Sequence, residues 1–277
     1  MKFTKMHSYG NDYVYIDCTR CWLPVLDAPE AYAISLCRRH FGIGGDGLVL
    51  LCPCEGADFL MRIFDPDGTE AELCGNALQC SAVLFALSRG ERQERVTVMT
   101  KAGMRVVSIA YDGDKAVSVW VSLPSPQLLF SDRRILLGEQ FFYASFLSFG
   151  NPHCVVFTED LSDENFLAHA PLLEKHPLFP QRANVEFVKI LSRGHIEMRT
   201  WERGCGETLS CSTGTGAAVI AACLQGLTDE DVYAKQPGGT IRCLWEREKG
   251  VVHLFSQAKI IFWGEIPDDS IITEKQA

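Results

Sequence analysis

The sequence predicts an α+β protein made of two homologous, pseudo-symmetric domains. Three observations carry this. Short β-branched or apolar runs outnumber helical patterns, one strand–acidic turn–cysteine–helix segment occurs twice in constant register, and Pro124-Ser125-Pro126 breaks the chain near its middle. With 277 residues, 47% of them hydrophobic, there is apolar material for two ordinary cores.

In chain order, strands are expected at Val14 to Ile16, Gly47 to Leu51, Phe59 to Phe64, Val96 to Thr100, Arg105 to Ala110 and Ala116 to Val121. Each is a short β-branched or apolar run between turn formers. Asp112-Gly113-Asp114 joins the last two as a hairpin, since Asp-Gly tolerates the positive φ of a tight turn. Past the break the same character returns at Cys154 to Phe157, Val185 to Ile190, His195 to Trp201, Thr240 to Trp245 and Val251 to Phe255. Helical spacing is found at Pro29 to Arg39, Asn76 to Ser88, Asn165 to Lys175 and Gly214 to Leu224.

The repeat sets the segment Asp58 to Asp65 against His195 to Glu202 at a constant offset of 137. Met61 then pairs with Met198, Arg62 with Arg199, Phe64 with Trp201 and Asp65 with Glu202, while Glu70 falls on Glu207 and Cys74 on Cys211. Both cysteines precede a small polar pair and an apolar helical stretch. Tyr9-Gly10-Asn11 matches Phe149-Gly150-Asn151 at the nearby offset of 140. The expected domains are residues 1–122 plus 264–277, carrying Cys74, and residues 123–263, carrying Cys211.

A net charge of −9 with no Lys/Arg cluster argues against a nucleic-acid or anionic-membrane partner. The longest apolar run, Ala217 to Leu224, is far short of the roughly 20 residues that cross a bilayer. Met1 to His7 lack the apolar core of a signal peptide. A soluble, cytoplasmic chain is therefore expected, with its twelve cysteines as reduced thiols rather than a disulfide framework. Cys37, Cys154, Cys223 and Cys243 lie in apolar stretches, where a thiol packs as a small hydrophobe. Cys18-Thr19-Arg20-Cys21 and Cys52-Pro53-Cys54 invite a zinc reading, but the second pair does not repeat the first spacing. Loop thiols and no bound metal are expected.

A cysteine immediately before a helix lies where backbone N–H groups are unsatisfied and the macrodipole is positive. That placement lowers a thiol pKa, and the same N–H groups bind a carboxylate. If the two domains face each other, one thiolate takes a proton from one face of an α-carbon while the opposite thiol delivers one to the other. The chemistry is inversion at an α-carbon, with no pyridoxal phosphate or other cofactor. Taken singly, these residues also have plain structural readings: packed helix-start cysteines, turn asparagines at Asn11 and Asn151, a satisfied His153, solvated carboxylates at Asp65 and Glu202. The repeat is what lifts them together.

Five stretches carry a resemblance: Phe3-x-Lys5-Met6-His7-x-x-Gly10-Asn11-Asp12; Gly42-Ile43-Gly44-x-Asp46-Gly47; Asp67-Gly68-Thr69-Glu70-Ala71-x-x-Cys74-Gly75-Asn76; Gly150-Asn151-Pro152-His153; and Trp201-Glu202-Arg203-Gly204-x-Gly206-Glu207-Thr208-x-x-Cys211-x-Thr213-Gly214. On these the sequence resembles the diaminopimelate epimerase family along essentially its whole length. The resemblance implies two domains, each a mostly antiparallel, β-barrel-like sheet wrapped around a central helix. It implies cofactor-independent interconversion of LL- and meso-diaminopimelate for lysine and peptidoglycan synthesis, by a homodimer. It further implies Cys74 and Cys211 as the acid/base pair, with His153 and Glu202 assisting the thiols. Gly75 with Asn76, and Ser212 with Thr213, are implied as N–H donors to the α-carboxylate. Asn11, Asn184 and Arg203 are implied as substrate contacts, Arg203 being suited to a bidentate grip on the distal carboxylate; Asp65 and Asn151 complete the expected substrate shell.

Some positions depart from the family pattern. Asp65 stands where the family has a substrate-touching asparagine, Ala77 and Gln79 replace a glycine and an arginine, and Ser8 and Ser212 replace glycines. An ionised Asp65 repels a distal carboxylate unless a cation offsets it. Two other readings compete. One is a broader-specificity amino-acid racemase of the same fold. The other is a thiol–disulfide redox protein, although redox pairs usually form C-x-x-C on one helix and these cysteines are 137 residues apart.

Overall fold

The structure is a computed structural model that describes residues 1–90, 92–113, 115–138 and 140–267. It divides into two units, Met1–Val121 completed by the chain from Ser256 onward, and Ser122–Phe255. In chain order the first holds β1 (Lys2–Ser8), β2 (Asn11–Asp17), α1 (Pro29–Cys37), β3 (Gly47–Cys52), β4 (Phe59–Phe64), β5 (Glu70–Ala71), α2 (Gly75–Arg89), β6 (Arg95–Thr100), β7 (Gly103–Asp112) and β8 (Lys115–Pro124). The second holds β9 (Gln127–Leu137), β10 (Gln140–Ser148), β11 (Pro152–Phe157), α3 (Asp163–Glu174), β12 (Asn184–Ser192), β13 (His195–Glu202), β14 (Gly206–Thr208), α4 (Ser212–Leu224), β15 (Asp231–Gln236), β16 (Gly239–Glu246) and β17 (Val251–Ser256). The last strand, β18 (Lys259–Glu265), returns to the first unit.

The repeat read from side chains recurs as topology. In the first unit β18, β1 and β2 pair antiparallel, β2 runs parallel to β3, β3 pairs antiparallel with β4, β4 runs parallel to β6, and β6 and β7 are antiparallel. In the second unit β9, β10 and β11 pair antiparallel, β11 runs parallel to β12, β12 pairs antiparallel with β13, β13 runs parallel to β15, and β15, β16 and β17 are antiparallel. Within each unit the parallel steps are bridged by helices, as parallel strands require.

α2 is buried from Asn76 through Ala86, and α4 from Gly214 through Ala222. A helix apolar on every side belongs inside a core. α2 contacts β1, β2, β3, β6 and β7, and α4 contacts the equivalent β10, β11, β12, β15 and β16. Each unit is thus a mixed but mostly antiparallel sheet around a central helix. The turns that lead into β2 and β11 use Gly10 at φ 89° and Gly150 at φ 103°, a region nearly closed to residues with a Cβ.

The strands β1, β5, β9, β10, β14, β15 and β18 lie where the sequence pattern signals none. In β9 only Ile135 is buried, so Ser131-Asp132-Arg133-Arg134 shows no in–out alternation and the strand is held by backbone pairing with β10. β7 and β8 meet as the expected hairpin, with Asp112 opposite Lys115; Asp114, and residues 268–277 of the expected first domain, lie outside the described residues. Among the described residues, which include all twelve cysteines, none is in a disulfide. Cys18 and Cys52 are buried and Cys21 is exposed, and among the described residues no three metal-ligating side chains gather. Among the described residues no helix is long and apolar enough to cross a membrane.

Candidate active site

In the second unit the site is built on the start of α4. Cys211 is the N-cap residue, extended at φ −132° and ψ 115°, and its sulfur accepts the N–H of Gly214 at 3.4 Å. Its own N–H donates to Gln236 Oε1 at 3.0 Å, and Gln236 Nε2 donates to Thr215 Oγ1 at 2.8 Å, so the cap is clamped from behind. Thr213 Oγ1 lies 3.7 Å from the sulfur and accepts from Asn151 Nδ2 at 3.1 Å.

Beside this cap, His153 meets a partner that the sequence reading missed. His153 Nδ1, on β11, is 2.7 Å from Glu186 Oε1, on β12, and both side chains are fully buried. His153 Nε2 and Glu186 Oε2 have no hydrogen-bond partner among the described residues. Gly214 makes the approach feasible: a Cβ there would stand 2.6 Å from Glu186 Oε1 and 3.3 Å from Cys211 Sγ. Nothing local marks Glu186, which reads as one polar residue in a strand.

Electrostatics correct one expectation. Burial pushes the Cys211 thiol well up, Glu202 and Glu186 push in the same direction, and the Gly214 N–H and Thr213 hydroxyl oppose them without prevailing. The helix start therefore does not lower this thiol, because desolvation and two carboxylates outweigh the N–H and hydroxyl donors. Burial likewise raises the Glu202 carboxyl, against the Thr208 hydroxyl that donates to it at 2.7 Å and the pull of His153. Arg203 and Asn184 are joined to each other: the Arg203 N–H donates to Asn184 Oδ1 at 2.8 Å, and the exposed Arg203 guanidinium donates to the Gln181 carbonyl at 3.1 Å. Ser212 is buried in the first turn of α4.

The first unit repeats the frame with different chemistry. Cys74 is the N-cap of α2 at φ −130° and ψ 122°, nearly the backbone of Cys211, and Gly75 and buried Asn76 open the helix. Its sulfur accepts from the hydroxyl of Tyr13, on β2, at 3.5 Å. Asn11 begins β2, and its buried Oδ1 meets no partner among the described residues. Asp65 follows β4; burial and neighbouring Asp67 push its carboxyl up against the Thr69 hydroxyl 3.5 Å away. Repeat-related ion pairs brace the turns before the two cysteines, Arg62 to Glu70 at 2.7 Å and Arg199 to Glu207 at 2.8 Å. In the first unit a further network pins the loop after α1: Lys5 holds Asp12 at 2.6 Å and the Gly44 carbonyl, while Arg39 bridges Asp12 at 2.7 Å and Asp46 at 2.9 Å.

The second unit thus gathers Cys211, Thr213, Asn151, His153 and Glu202, and adds Glu186; the first gathers Cys74, Gly75 and Asn76, and adds Tyr13. Tyr13 has a detectable signal, because the offset of 140 that aligns the two Gly-Asn turns also places it on His153.

Residues 3–126 and 145–260 match the family model described as diaminopimelate epimerase. A protein named diaminopimelate epimerase from Desulforudis audaxviator is 42% identical over 278 residues, covering 96% of this chain and 99% of that one. Its namesake from Bacteroides thetaiotaomicron is 40% identical over 267 residues, covering 96% and 98%. Among solved structures, a probable proline racemase from Agrobacterium radiobacter with bound carbonate superposes with a TM-score of 0.72 at 16% identity, covering 98% of this chain and 94% of that one. A PhzF-family phenazine biosynthesis protein from Bacillus anthracis also reaches 0.72 at 15% identity, covering 96% and 99%. At such identities these structures speak to the fold alone.

Proposed function

The chain belongs to the diaminopimelate epimerase family, and on that premise we propose that Cys74 and Cys211 are the two bases with which it interconverts LL- and meso-diaminopimelate. It is an isomerase of the racemase/epimerase class, serving lysine biosynthesis. The observation that supports the assignment best is the duplicated helix-start cysteine, the same backbone at Cys74 and Cys211 in two units of one topology.

Inversion of an α-carbon needs a base on one face and an acid on the other, with the roles exchanged for the reverse direction. The α-proton is a weak acid, so the negative charge that develops as it leaves must be stabilised through the carboxylate. The first-turn N–H groups at Gly75 and Asn76, and at Ser212 and Thr213, are suited to that. A Cys211 thiol pushed up by burial holds its proton, which suits it to deliver one when Cys74 is the base. His153 is anchored through Nδ1 by Glu186, a carboxylate that acts on that thiol, and its Nε2 has no hydrogen-bond partner among the described residues. Glu202 assists from the end of β13, Asn11, Asp65, Asn151 and Asn184 border the substrate, and Arg203, with an exposed guanidinium, takes the distal carboxylate. The enzyme works in the cytoplasm as a homodimer. Exposed Ile261, Phe262 and Trp263 on β18 support an interface.

The test is epimerisation in deuterated water without added cofactor. The wild type incorporates deuterium at the α-carbon as it inverts it, and Cys74→Ala and Cys211→Ala each abolish inversion. More than a few per cent of wild-type turnover in either alanine variant overturns the two-base assignment.

A further inference from the structure

We propose that Tyr13 is a positioning residue for Cys74, its hydroxyl holding the sulfur as thiolate in the place that the second unit gives to His153. The inference rests on the reading of Cys74 as an acid/base thiol, and three independent observations carry it.

The first is the contact. Tyr13 is 6% exposed, and its hydroxyl donates to Cys74 Sγ at 3.5 Å. A buried phenol needs an acceptor, and a thiolate accepts more strongly than a thiol, so the bond favours the charged sulfur. The second is the seat of the ring. Gly47 lies opposite Tyr13 in the parallel β2–β3 register, and a Cβ there would come within 2.7 Å of ring Cε1. Tyr15 packs edge-on at 6.3 Å. The glycine leaves room for the ring, and the neighbours fix where the hydroxyl reaches.

The third is the repeat. Tyr13 stands two residues after Asn11 as His153 stands two after Asn151, and their register partners Gly47 and Asn184 are related by the offset of 137 seen between the cysteines. One repeat-related position therefore carries, in the first unit, a phenol that reaches Cys74 and, in the second, an imidazole bonded to the Glu186 carboxylate that acts on Cys211. An imidazole gives and takes protons. The Tyr13 phenol, raised far above its ordinary range by burial and by Cys74, with Asp46 and Asp65 adding to the effect, stays protonated and only donates. On the cysteine side, Tyr15 and Cys80 also feel Cys74.

The test follows alkylation of Cys74 and Cys211 by iodoacetamide against pH, peptide by peptide, in wild type and Tyr13→Phe. Losing one hydrogen bond to a charged acceptor raises the Cys74 midpoint by about one unit or more, leaves the Cys211 midpoint in place, and lowers kcat more than it raises KM. An unmoved Cys74 midpoint overturns the proposal. Should Tyr13→Phe fail to fold by circular dichroism, 3-fluorotyrosine at position 13 keeps ring and hydroxyl with a stronger donor. The Cys74 midpoint then falls, and no change overturns the proposal. Alkylation reads the bond whatever the substrate is, whereas a wild-type enzyme that does not epimerise diaminopimelate strikes the functional reading instead.

Discussion

Replacing Glu186 by Gln leaves His153 a neutral acceptor where a carboxylate now lies 2.7 Å from Nδ1. Both side chains are fully buried, so water cannot stand in for the lost charge. A hydrogen bond to a charged group contributes about 1.5–3 kcal/mol, against about 0.5–1.5 for a neutral one. The oriented imidazole therefore loses on the order of 1–2 kcal/mol, or about five- to thirtyfold in kcat/KM. Glu186→Ala strands Nδ1 in a dry setting and costs more. The same carboxylate also acts on the thiol: after burial and Glu202, it is the next group raising Cys211. Neutralising it brings the thiol midpoint down. Turnover and thiol reactivity thus move in opposite directions, with slower LL-to-meso conversion by chiral chromatography and faster alkylation of Cys211 at neutral pH. Cys74 alkylation stays put. A folded Glu186→Gln protein in which turnover and Cys211 reactivity fall together refutes the reasoning.

Gly214→Ala puts a methyl 2.6 Å from Glu186 Oε1 and 3.3 Å from Cys211 Sγ, so overpacking of about 1–3 kcal/mol should lower the melting temperature and kcat together; a variant with wild-type kcat contradicts this. Asp65→Asn exchanges an acceptor-only carboxylate for a side chain with an amide donor and should lower KM for diaminopimelate about tenfold, which an unchanged KM rules out. Burial would raise the Asp12 carboxyl, but Lys5 and Arg39 outweigh it and hold it below its ordinary value. A folded pKa below the unfolded one means stability that is present above the ordinary carboxylate pKa of about 3.9 and is lost as pH falls through the folded value. Urea midpoints measured from about pH 6 to about pH 3 should therefore drop more steeply in the wild type than in Asp12→Asn, and parallel curves would sink the linkage.

What was legible in the sequence was local. A cysteine before a helix, a Gly-Asn turn at Gly10 or Gly150, and the Arg62–Glu70 brace each depend on residues within a few positions, so their repetition could be read directly. Register is not local. Glu186 joins His153 only because β11 and β12 run parallel with His153 opposite Asn184, which brings the residue two further along within reach. Desolvation is less local still. A helix start argues for a lowered Cys211 pKa, yet the thiol is enclosed by a whole unit, and that enclosure reverses the sign. β9 was hidden for a third reason. Its Asp132-Arg133-Arg134 stretch is exposed, so the strand is specified by its partner rather than by its own pattern.

The first unit is closed by a strand that the chain reaches last. β18 pairs with β1 from Lys2 to His7, and Met1 and Ile266 exchange backbone hydrogen bonds at 2.6 and 2.7 Å. Between β8 and β18 the chain lays down the whole second unit. On a ribosome, where residues emerge from the amino end, the unit begun first is therefore finished last. Through that interval β1 presents an unpaired row of N–H and C=O groups, the kind of edge that recruits another strand. The nascent chain is most exposed to mispairing while β9 to β17 are being made, and protease resistance should arrive in the second unit before the first.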